Sequence, residues 1–174
     1  MIRYFRPLLA SAIALSFPTL ASAADTPKCT TPVAPTGELS SWPQQTPLAA
    51  TGTMPGLPSA TLVVGKAALV TLLPTPQVKY PLRPEKPGGS VSYGGLLGFD
   101  VAEAGTYRVA LGTGAWIDVV GDDGKAIAST GHGHGPDCTG IRKVVDFPLA
   151  PGSHTLQIAA SASPEIGLLV VRLP

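Results

Sequence analysis

From Lys66 onward, no apolar run in this chain goes far before glycine, proline or aspartate interrupts it. No window beyond residue 23 carries a 3.6-residue apolar period, so amphipathic helices and a parallel α/β arrangement built on them are excluded. Short strands remain, at 67–73, 77–80, 90–101, 106–111, 115–120, 125–129, 141–149, 154–160 and 166–173. In "TYRVALG", Tyr107, Val109 and Leu111 face one way and Arg108 the other. In "HTLQIAA", Leu156 and Ile158 oppose Thr155 and Gln157, again the two-residue period of a strand. Some eight or nine such strands separated by turn residues predict an all-β antiparallel sandwich, jelly-roll-like, over 66–174. "GDDG" at 121–124 reads as a tight hairpin turn. Asp122 and Asp123 suit its backbone better than calcium, which wants about six oxygens or more.

The front of the chain sets the compartment. Arg3 and Arg6 precede an apolar run from Leu8 to Leu20, and Ala21-Ser22-Ala23 closes it, the pattern of a secretory signal peptide over 1–23. Its core is too short for a bilayer anchor, and no second long apolar run follows, so the mature chain is expected in the periplasm or secreted, with no membrane span. Without Arg3 and Arg6 the acidic residues slightly outnumber the basic ones, and no basic run is present. That balance argues against nucleic acid or anionic lipid as a partner. Residues 24–65, rich in Pro, Thr, Ala and Ser, read as an irregular strap, with Leu39, Trp42 and Leu48 seeking an apolar surface. A short strand near 60–64 or one helical turn fits within it. Cys29 and Cys138 are the only cysteines, and in an exported chain such a pair predicts a disulfide. It would tie the strap to the loop before Ile141 and remove on the order of 4–5 kcal/mol of unfolded-state entropy.

Two resemblances extend this reading. "FDVAEAGTYRVALGTGAWIDVVGDDGKAIAS" and "VDFPLAPGSHTLQI" resemble the strand and turn grammar of bacterial pre-peptidase C-terminal domains and of the protective-antigen-type carbohydrate-binding module. Both are antiparallel β-sandwiches, and the second implies carbohydrate as a ligand. "RPEKPGGSVSYGGLLGFDV", "GTGAWIDVV" and "GHGHGPDCTGIRKVVDF" are similar to small exported alphaproteobacterial proteins that carry the label homogentisate 1,2-dioxygenase. That label implies an iron held by two histidines and a glutamate, whereas this chain has three histidines and places no glutamate near the close pair.

Two groups of residues are candidates for chemistry. In "GHGHGPDC" at 131–138, His132 and His134 project to one side of an extended backbone, and with Asp137 they could hold Zn(II) or Cu(II). The plainer alternative is an exposed, glycine-rich connection pinned by the disulfide, with Cys138 oxidised and His154 a strand-edge residue. The second group is Arg83, Glu85, Lys86, Tyr93 and Trp116, because aromatic faces stack on sugars and Arg or Glu fix hydroxyls. Hydrolase elbows, zinc-protease helices and phosphate-cradling loops are missing. The sequence therefore predicts an exported, non-catalytic binding or structural module of the cell envelope, without a cofactor, with carbohydrate or an envelope protein as partner. The competing expectation is a metal-dependent enzyme, dioxygenase-like or other, built on His132 and His134.

Overall fold

A computed structural model describes residues 29–174; the expected signal peptide and the first residues of the strap lie outside the described residues. Among the described residues eleven strands are formed: β1 (Thr46–Ala49), β2 (Ala67–Thr71), β3 (Leu73–Pro74), β4 (Tyr93–Val101), β5 (Gly105–Leu111), β6 (Trp116–Val120), β7 (Ala126–Ile127), β8 (Gly131–Gly133), β9 (Lys143–Leu149), β10 (Gly152–Ser161) and β11 (Glu165–Arg172). One sheet has the order β1-β2-β11-β5-β9-β8 and the other β3-β4-β10-β6-β7. All pairs are antiparallel except β1 with β2. The late strands β10 and β11 lie between earlier ones, one in each sheet, giving a jelly-roll-like sandwich as the strand pattern predicts.

Alternation fills the space between the sheets. Leu97, Phe99, Val109, Leu111, Ile117, Val119, Leu156, Ile158, Leu168 and Val170 all point into one buried cluster. Each such side chain contributes roughly 1.5–3 kcal/mol by leaving water. His154, expected at a strand edge, is buried within β10, its ring 5.5 Å from that of Phe99 and its Nε2 2.9 Å from the Ala150 carbonyl.

The first sheet is apolar on its outer face as well. Ala67, Ala110, Val144 and Leu169 form a second cluster there with Leu39 and Trp42 of the strap and with Ile141. Trp42 rests on Gly167: a Cβ at that position would lie 3.0 Å from the indole Cη2 and 2.8 Å from Gln45 Nε2. An ion-paired clasp secures the strap further along. Arg108 on β5 donates Nε and Nη2 to the Asp146 carboxylate of β9 at 2.8 and 2.9 Å, and Nη1 to Glu38 Oε1 at 3.2 Å. The Cys29–Cys138 disulfide is formed, and the Val33 amide donates to the Cys138 carbonyl at 2.8 Å.

Three local expectations need correction. Residues 77–80 are not a strand: Pro74 and Pro76 supply no ladder N–H, and the chain makes a 3-10 turn at Thr75–Gln77 before crossing the outer face of the second sheet. Residues 60–64 make only an isolated parallel bridge, Thr61 to Gly98, between a proline-containing 3-10 turn at Met54–Ser59 and Gly65 with φ +82°. The strap is less irregular than its composition suggests, since Thr46–Ala49 pairs with β2 and widens the first sheet.

Two stability outcomes follow for the disulfide-bonded protein in urea unfolding. Replacing both cysteines by serine lowers stability by about 4 kcal/mol, the loss expected for releasing a loop of this length. Gly167→Val, which drives a side chain into Trp42, lowers it by about 2 kcal/mol, while an equal stability of variant and parent would contradict the packing of the strap.

Candidate functional site

β5 ends at Leu111, and residues 112–115 carry the chain from the first sheet to the second, where β6 opens on Trp116. Ile117 and Val119 turn inward, so Trp116 and Asp118 turn outward at this corner. Gln157 lies beside Asp118 in the ladder and is fully buried, 0% exposed, on the same outer face. A buried amide is costly unless its polar atoms are used. Here Nε2 donates to Asp118 Oδ2 at 2.8 Å, and Oε1 accepts the Leu82 amide at 3.3 Å. Asp118 Oδ1 in turn accepts the Trp116 Nε1–H at 3.0 Å.

The result is a hydrogen-bonded chain from Leu82 through Gln157 and Asp118 to the indole. It fixes the ring's orientation and clips the covering segment to the sheet. Tyr80 strengthens the clip by donating its hydroxyl to the Ile158 carbonyl at 3.1 Å. Two ammonium groups complete the corner. Lys86 Nζ lies 5.5 Å and Lys143 Nζ 5.7 Å from the indole centroid, within cation–π range. Lys143 Nζ also donates to the Ala115 carbonyl at 2.9 Å. Burial holds the Lys143 amine below its usual 10.5, the positive charge of Lys86 adds to that depression, and Asp118 opposes it.

Of the residues predicted for a ligand groove, the structure brings Lys86 and Trp116 together. Tyr93 instead packs against the core between the sheets. Arg83 and Glu85 lie exposed on the same segment as Lys86, and neither joins the chain that ends at Trp116. Sequence reasoning missed Asp118, Gln157 and Lys143 as site residues. Signals pointed to the first two alone: Asp118 follows Trp116 by two positions in a strand, and Gln157 interrupts the apolar "HTLQIAA".

The histidine turn is a separate feature. Gly131–Gly133 forms the edge strand β8 on β9, with His132 opposite Val145. His132, His134 and Asp137 are all exposed. His134 Nδ1 lies 3.0 Å from the Arg142 carbonyl, which can only accept, so Nδ1 carries the proton and a neutral ring keeps its lone pair on Nε2. Gly135 answers to close packing rather than flexibility, because a Cβ there would fall 2.5 Å from Ile141 Cβ. The turn borders two clefts, of about 460 and 710 Å³, each lined by His134, Asp137 and Thr139, and neither reaches Trp116. Among the described residues, no three His, Cys, Asp or Glu side chains form a group that could hold a metal ion. Nor is any helix among them long and apolar enough to cross a membrane.

No protein-family model matches this chain, and no curated protein matches it.

Lys143 supplies a direct check on the corner. Its folded-state pKa lies below the unfolded value, so the unfolded chain holds more protons between the two, and its contribution makes stability rise with pH across that interval. In NMR titration of the lysine side chains, Lys143 is expected to deprotonate below the usual value and Lys86→Met to shift it upward. A Lys143 indifferent to Lys86→Met would contradict the placement of the two ammonium groups.

Proposed function

We propose that this chain is an exported, non-catalytic binding module of the cell envelope, and that it takes carbohydrate at the Trp116 corner. The observation that carries the reading is the indole held in one orientation by Asp118 and buried Gln157. An aromatic face fixed in advance beside polar groups suits a sugar ring, whose C–H face stacks while its hydroxyls hydrogen-bond at the edge. Ordering Trp116 before the ligand arrives lowers the entropy cost of binding. Placement on the outer face of a sheet, with the 78–92 segment clipped beside it, leaves the scaffold rigid and the ligand outside. The Cys29–Cys138 disulfide supports an oxidising compartment outside the cytoplasm, as the leader at 1–23 predicts. No catalytic step is assigned, because the corner couples no nucleophile to a base.

The metal-dependent alternative draws on His134, whose Nε2 lone pair is oriented by the Arg142 carbonyl in the way that supports metal ligands. It lacks a converging partner set among the described residues. Glycan-array screening of the mature protein, followed by calorimetry on any hit, separates the readings. The expected outcome is saturable glycan binding that Trp116→Ala weakens at least about tenfold with unfolding behaviour otherwise retained. No binding on the array, together with stoichiometric zinc or copper that His132→Ala and His134→Ala remove, would overturn the proposal.

A further inference from the structure

The two ammonium groups of the corner, Lys86 and Lys143, make no salt bridge among the described residues. In the described chain Arg108, Lys125 and Arg172 each meet a carboxylate within salt-bridge distance, whereas Lys66, Lys79, Arg83 and Arg142 do not; what marks the corner is that two such cations share one indole. Asp118 is the acidic group that interacts with Lys143, and both of its oxygens already accept hydrogen bonds, from Trp116 and Gln157. Lys86 and Lys143 repel each other, and the structure holds them together by different means. Lys143 is tied to the Ala115 carbonyl, and Lys86 arrives on the segment that Gln157 and Tyr80 clip to the sheet.

A neutral sugar has no use for such a pair. Each ammonium keeps donors for an anionic substituent of a ligand at this corner, since an ammonium has three and Lys143 spends one on Ala115. Building on the carbohydrate reading of this corner, we infer that the Trp116 site selects acidic carbohydrate: a sugar ring stacks on the indole, and its carboxylate or sulfate substituent bridges Lys86 and Lys143. Aromatic stacking supplies the affinity common to all sugars, and the two lysines supply discrimination by charge. Lys86 is exposed and makes no hydrogen bond to the sheet, so it can be changed without disturbing the scaffold.

The test is calorimetry on the full mature chain, exported so that the disulfide forms, with three probes: an oligogalacturonate for carboxylate, a heparin-derived oligosaccharide for sulfate and a neutral xylo-oligosaccharide. At least one acidic probe is expected to bind about tenfold more tightly than the neutral one, and whichever anion is preferred identifies the substituent. Lys86→Met should weaken the acidic probe about threefold to fivefold and by more than it changes the neutral one, while Lys86→Arg retains acidic binding. Raising salt from about 0.05 to about 0.5 M should weaken the acidic complex alone. Equal affinity for neutral and acidic probes, or an acidic affinity indifferent to Lys86→Met, overturns the charge selection and leaves the carbohydrate reading standing. Failure of all three probes to bind removes both.

Discussion

β11 presents apolar residues on both faces, and much of the molecule answers to that fact. Ile166, Leu168 and Val170 enter the space between the sheets, while Leu169 and Val171 face outward with Ala67, Ala110 and Val144 beside them. A jelly roll by itself covers only the inner side. The outer side is covered by a segment with little regular structure, from Val33 to Trp42, which holds its place through Trp42 on Gly167, the Arg108 clasp and the disulfide. Each device compensates for what a proline-rich segment lacks, namely a ladder of backbone hydrogen bonds. The covalent link acts on the unfolded chain, whereas the indole and the clasp act on the folded one.

The second sheet solves the same problem differently. Its outer face carries Leu96 and Gln157, both fully buried, beneath the segment that follows Gln77. Here the fastening is polar: a glutamine amide and a tyrosine hydroxyl reach between covering segment and sheet. Fixing the cover also fixes Asp118 and the indole, so the requirement for stability and the preparation of a ligand surface share the same hydrogen bonds. On this view Gln157 joins the scaffold to the proposed site.

Much of the sandwich was legible because its strands alternate. Tyr107, Val109 and Leu111, or Leu156 and Ile158, announce their inner face at two-residue spacing, and "GDDG" marks the β6–β7 turn. The disulfide was legible from compartment and arithmetic. The segments that failed were those whose conformation depends on distant partners. Residues 77–80 look strand-like in isolation, yet prolines on either side deny the ladder. Thr46–Ala49 contains proline and pairs only because β2 offers an edge. Of the site, Trp116 and Lys86 could be named as residue types, but their meeting with Lys143 depends on a crossing between sheets that local pattern does not encode. The need for glycine at 135 was illegible for the same reason: the pressure on it comes from Ile141, which lies beyond the disulfide cysteine.

The central claim is that the strap belongs to the folded domain as the outer cover of the first sheet. Amide hydrogen exchange read by NMR at Val33 and Trp42 tests it most directly, since these amides donate to Cys138 and Leu39 in the strap's own docking. In the oxidised protein both should exchange orders of magnitude more slowly than an unstructured peptide, and Val33 should lose that protection when the disulfide is reduced. Exchange of both amides at the unstructured rate in the oxidised protein would mean that the strap does not cover the sheet, and the account would be wrong.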